Sequence, residues 1–180
     1  MTIPVYAPGQ LLAVLERIER EVLPALVRDS TAWQSLFVDY EPPFVERLWA
    51  PVQLGDEAYR VFLHRIHPAP LDACLFHPHP WPSAIRLLSG TYRMNTGAGA
   101  GMEPPAVTMQ LKLAAGTAYE MGHPDGWHAV SPIGEPSYSL MVTGKPWTRP
   151  SHKPTKQLHP LETETAAALL KFFQDVYGKE

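Results

Sequence analysis

The sequence predicts an all-β core of barrel type held between helical flanks, and three observations predict it. Twenty of the 180 residues are proline, a density that suits short strands and turns better than a helical bundle. Residues 44–149 read as successive runs of β-branched and aromatic side chains broken by Pro and Gly. Apolar residues recur at helical spacing only toward the two ends.

The N-terminal helical segment is placed at 10–38. Leu11, Leu15, Ile18, Val22 and Leu26 step by three or four residues, while Glu16, Arg17, Glu19 and Arg20 take the other side. Pro24 falls inside this helix, expected over 10–28, and is expected to kink or end it. Residues 31–38 are read as a short helical turn, and Pro42-Pro43 breaks the chain. The barrel is placed at 44–149. Within it Tyr59–Ile66, Leu71–His79, Ala84–Met94, Val107–Leu113, Thr117–Met121, Trp127–Val130 and Tyr138–Thr143 read as strands, and Asn95–Gly101 as a flexible loop. A helix is expected from 162 to 177, with Ala166, Leu169, Leu170, Phe173 and Tyr177 on one stripe, Thr163 as N-cap and Gly178 as stop. No internal repeat is visible, and a single domain over 1–180 is expected.

Composition excludes several functions. A net charge of −3 gives no argument for nucleic acid or an anionic membrane. No apolar run is long enough to cross a bilayer, and the first residues lack a basic-then-apolar signal pattern. Cys74 is the sole cysteine, so a reducing cytoplasm is the simplest setting. Cys74 itself reads as a buried, inert thiol on an apolar strand.

Chemistry is carried by the histidines. His77 and His79 flank Pro78, which cannot donate to a ladder and so belongs at a strand edge or end. Residues at i and i+2 of a strand share a face. His128 follows a Pro124-Asp125-Gly126-Trp127 turn, where Asp125 is a turn-former. Three imidazoles brought to one interior point make a divalent metal site with open positions. Of the other five histidines, His123 is read as a solvated turn residue. His64 and His67 lie on opposite strand faces in core or surface roles, and His152 and His159 are read as solvent-exposed.

The run His77-Pro-His79-Pro-Trp-Pro-Ser83-Ala-Ile-Arg-Leu-Leu-Ser-Gly90, with Gly122–His128 behind it, resembles the two cupin motifs over roughly residues 58–146. The resemblance implies a double-stranded β-helix and gives His77, His79 and His128 the metal-histidine positions. Ser83 stands where the cupin glutamate ligand is expected, and the second turn is one residue short. A three-histidine set resembles that of thiol and diketone-cleaving dioxygenases, which use Fe(II). Neutral ligands leave the metal its full charge and favour anionic, chelating substrates. The thiol-dioxygenase pattern matches poorly. Of its serine–histidine–tyrosine relay only Ser139 persists, with Met141 and Thr143 following, and its substrate-carboxylate arginine would be sought near Tyr59-Arg60.

Further candidates follow from position. Glu120 is a replacement carboxylate that would ligate the metal or orient an imidazole, set against a solvent-facing Glu beside a buried Tyr119. Arg93 is a possible carboxylate clamp, and Arg86 has the parity of a surface residue. Trp81 reads as a pocket lip or a packing anchor. The expected function is a mononuclear metalloenzyme, an Fe(II) dioxygenase of a small organic acid or related chelating substrate, with Zn, Ni, Mn or Cu also compatible with three imidazoles. The alternatives are a non-enzymatic small-molecule binder or sensor and a metal-free isomerase or epimerase. A homodimer covering an open edge strand is expected.

Overall fold

The computed structural model describes residues 6–148 and 152–178. Its N-terminal helix α1 (Gln10–Glu21) ends at Val22, and a four-residue helix α2 (Leu23–Leu26) follows with Pro24 in its first turn. Proline is tolerated there because the first N–H groups of a helix lack partners anyway. The expected helix over 10–28 is therefore two helices. The helical turn expected at 31–38 is only a 3-10 turn at Ser30–Ala32, and strand β1 (Gln34–Val38) replaces the rest.

Nine more strands follow: β2 (Val45–Leu54), β3 (Glu57–Ile66), β4 (His77–Pro78), β5 (Ser83–Ser89), β6 (Thr91–Ala98), β7 (Met109–Ala114), β8 (Ala118–Met121), β9 (Gly126–Pro132) and β10 (Ser137–Thr143). Three expectations are corrected here. The strand expected over Leu71–His79 is a 3-10 turn at Leu71–Ala73 and only two residues of strand. Pro70 and Pro78 leave that stretch too few donors for a longer ladder. Cys74 is buried, as expected, but off any strand, its thiol donating to the Pro70 carbonyl at 3.2 Å and pushed up by burial. The strand expected over Ala84–Met94 divides at Gly90, whose φ of +84° lies in the left-handed region and whose absent Cβ would sit 3.1 Å from Ser137. The loop expected at Asn95–Gly101 is strand through Ala98.

The strands form two antiparallel sheets, β1-β2-β3-β10-β5-β8 and β4-β9-β6-β7. Setting aside β1 and β2, this is the eight-stranded double-sheet jelly roll that cupins share. The fold class is as expected, a cupin-type β-barrel with helical flanks. Helix α3 (Thr163–Tyr177) closes the described chain; Glu162 holds its N-cap position, so Thr163 is the first helical residue rather than the cap.

The six-stranded sheet is covered on both faces. Leu48, Val52, Val61, Leu63, Leu140 and Val142 point outward and bury against the helices, meeting Leu11, Leu15 and Ile18 of α1 and Leu169, Leu170 and Phe173 of α3. Their strand neighbours, of opposite parity, line the barrel interior. Arg86 also points outward, where Glu19 of α1 pairs with it at 2.9 Å. The outward apolar residues therefore serve the helix interface, while the inner face carries both apolar side chains, Phe62, Ile85 and Met141, and polar ones.

Candidate metal centre

His77 lies on the edge strand β4, directly opposite His128 on β9. His79 follows beyond Pro78. The short ladder sets the pair facing one another, and the i, i+2 spacing carries the third imidazole to the same point. Ring centroids lie 5.4 Å apart for His77–His79, 5.1 Å for His77–His128 and 4.7 Å for His79–His128. One nitrogen from each ring falls within 4.8 Å of the others.

The outer nitrogens of two rings are engaged. His77 Nδ1 donates to the Leu75 carbonyl at 3.0 Å, and His79 Nδ1 meets Ser83 Oγ at 2.6 Å. Both contacts turn Nε2 inward, and His79 Nε2 lies 3.0 Å from His128 Nε2. Without an ion, a tautomer set with His79 protonated at Nδ1 and His128 at Nε2 satisfies these contacts; ligation through Nε2 would move the His128 proton to Nδ1, which is buried without a partner among the described residues. Burial holds all three imidazoles below their ordinary pKa, His79 and His128 well below, and the neighbouring rings push His79 the same way. The trio is thus neutral at neutral pH, the form that ligates a metal. Three neutral imidazole nitrogens within reach of one point are a donor set that fits a divalent ion, which His77, His79 and His128 would hold.

The opposite wall carries a polar rung. Arg47 on β2, His64 on β3 and Ser139 on β10 are register partners across three strands. Arg47 Nε donates to His64 Nε2 at 3.0 Å, and the guanidinium lies 5.3 Å from the Phe62 ring centroid. Burial brings Arg47 down to about 10, still charged at neutral pH, and holds His64 well below its ordinary pKa, with the Arg47 charge adding to the effect. Between the two walls lies a cavity of about 300 Å³. Trp81 stacks on Phe62 at its rim, ring centroids 6.1 Å apart.

Tyr119 also borders the cavity. It contacts the edge of His128 and accepts a 3.0 Å hydrogen bond from Tyr92. Burial pushes its hydroxyl up to about 12, so the proton stays on. At the mouth, His152 stacks on Tyr40 and faces Glu41 at 3.5 Å.

The structure brings His77, His79, His128, Ser83, Tyr119 and Ser139 to this cavity or its wall. It does not bring Glu120 there as a ligand. The Glu120 carboxylate points outward to α1 and accepts from the backbone N–H groups of Gly9, Leu11 and Leu12. Arg93 is exposed, its strand neighbours Tyr92 and Met94 being the buried ones. Arg60 is likewise exposed, over the Trp49 ring. His123 is exposed in its turn and His159 is exposed, as expected. His152 is half-buried against the cavity rather than solvated, because the connector crosses the mouth and Lys156 ties it to Asp39. Sequence reasoning missed Arg47 and His64 as wall residues. The available signal was parity: both alternate with the apolar residues that face the helices.

No protein-family model matches the chain, and no curated protein matches its sequence. Solved structures are similar in fold. Hydroxypropylphosphonic acid epoxidase from S. wedmorenis is 13% identical over 63% of this chain and 56% of that chain, with a TM-score of 0.45. KdgF from Halomonas sp. is 14% identical over 60% of this chain and 85% of that chain, with a TM-score of 0.42. The chain thus spans just over half of the epoxidase's length.

Proposed function

We propose that this chain is a metal-dependent enzyme, a mononuclear Fe(II) dioxygenase acting on a small chelating organic acid. The observation that carries the reading is the convergence of three neutral imidazoles, two buried and one half-buried, each with one nitrogen within 4.8 Å of the others. His77, His79 and His128 would hold the ion. When bound, it supplies Lewis acidity and a common docking point for substrate and O₂.

The remaining work falls to the chain's own residues. Leu75 and Ser83 fix the planes of two ligand rings. Phe62, Ile85 and Met141 form an apolar inner wall that keeps bulk water from the reacting atoms. Tyr119, held protonated and fixed by Tyr92, has its own O–H to donate to a ligand beside His128. A reducing cytoplasm and a homodimer belong to the same proposal.

The test is oxygen consumption by Fe(II)-loaded protein offered a panel of short carboxylic and hydroxy acids. Uptake that depends on substrate and vanishes in H79A supports the dioxygenase. A second reading, a non-catalytic binder or sensor, is favoured by the acidic groups at the cavity: among the described residues only Glu41, at the mouth, contributes a carboxylate to the lining. Tight binding of an acid with no oxygen uptake by any member of the panel selects that reading.

A further inference from the structure

A second cavity, of about 280 Å³, lies where the two sheets part, between β8 at the end of the larger sheet and strands β6 and β9 of the smaller one. Tyr119 and His128 border both cavities, so these two side chains are the wall it shares with the space in front of the histidine trio. Their rings meet edge-on, with centroids 6.2 Å apart. The second cavity is bordered by the exposed His123 in the β8–β9 turn and by the buried His128.

Its walls offer little to a polar guest. Met94, Met121 and the ring of Trp127 supply apolar surface. Three polar groups along it are engaged elsewhere. The Trp127 indole N–H donates to the Gly99 carbonyl at 2.9 Å, the Glu120 carboxylate accepts from the first amides of α1, and His123 Nδ1 accepts from the Asp125 amide at 3.1 Å. Gly126 keeps the space open, since a Cβ there would stand 3.7 Å from the Met121 methyl carbon. An apolar cavity gives water too few partners and takes small apolar guests instead. The main cavity differs in this respect, with Arg47, His64 and the histidine trio on its walls. Its mouth is narrowed by the connector, where His152 faces Glu41 and Lys156 holds Asp39. An organic ligand seated at the trio fills that approach, and a second, smaller reactant needs another.

We propose that the cavity between β8, β6 and β9 is a holding site for dioxygen. A consequence rests on the metal reading above. Dioxygen held there reaches the ion past Tyr119 and His128, while the organic ligand enters by the mouth, and Met121 sets the width of the lateral passage.

Two measurements on the full-length protein test this. In the first, the methionine methyl groups of chelator-stripped protein are labelled with carbon-13, and their proton relaxation is compared under pressurised nitrogen and pressurised dioxygen, which is paramagnetic. The methyls of Met94 and Met121 should be relaxed by a larger factor than those of the exposed Met102 and Met109. M121F, which fills the cavity, should reduce the effect at Met94, and M121A, which enlarges it, should increase it and reports even if M121F fails to fold. In the second, nitric oxide stands in for dioxygen, and its binding to Fe(II)-loaded protein is followed by stopped-flow absorbance. M121F should slow binding several-fold, and L158W, placed at the mouth, should leave it unchanged. Absence of a nitrosyl signal in every loaded protein, with the methyl result intact, keeps the dioxygen site and removes the metal reading. Relaxation at Met94 and Met121 no greater than at the exposed methyls overturns the site, and a binding rate that L158W lowers as much as M121F overturns the lateral passage.

Discussion

Ser83 shows how one residue can trade roles. It occupies the position where the cupin resemblance expects a carboxylate ligand, and its hydroxyl instead orients His79 at 2.6 Å. Groups that orient a ligand ring typically contribute about ten- to a hundred-fold in metal affinity. S83A should therefore lower Zn(II) affinity by about ten-fold while its unfolding midpoint in the stripped state changes little, because the lost partner is one hydroxyl; competition with a chromophoric chelator measures the first and thermal denaturation the second. The histidines also fix a pH dependence. Their folded pKa values lie below the ordinary value of 6.5 because burial disfavours the cation. Between folded and unfolded values the unfolded chain binds more protons, so stability rises with pH across that window. Metal-free protein should hold its full stability above about pH 6.5 and lose it as the pH falls toward 5, and denaturant melts across that range check the sign.

At the scale of the elements, Glu120 explains how α1 is seated. Gly9 at its N-cap has φ +83° and offers no side chain, so the first amides would be orphaned. The Glu120 carboxylate, more than a hundred residues away, accepts from three of them, and its charge suits the positive end of the helix. E120Q should cost about 1 kcal/mol of unfolding free energy and leave metal stoichiometry unchanged; urea denaturation beside elemental analysis separates this from a ligand role, which would lower both. The strand pattern was legible in the sequence because alternation and turn residues act locally. So were the three histidines, since their spacing encodes shared faces. Two things were not legible. Glu120 and Tyr119 are neighbours on β8, so one must face in, but which one depends on whether an apolar ring or a helix end waits on each side. Arg47 and His64 were hidden for the related reason that the apolar residues between them face the helices, and a lone strand does not reveal which of its faces has a helix laid upon it.

The whole molecule divides its labour between two sheets. The four-stranded sheet supplies two of the three histidines, His77 on β4 and His128 on β9, and the six-stranded sheet supplies the rung of Arg47, His64 and Ser139. Helices α1 and α3 bury the outer face of the larger sheet, which holds that rung in register against the histidine wall. The account stands on the three imidazoles acting as one ligand set. Elemental analysis of protein purified without a metal-chelating column tests this most directly, read beside the same preparation of H77A, H79A and H128A. The account predicts about one divalent ion per chain in the wild type and near-complete loss in each variant. A wild type that carries no metal and takes up none on addition of Fe(II), Zn(II), Mn(II), Ni(II) or Cu(II) would contradict it.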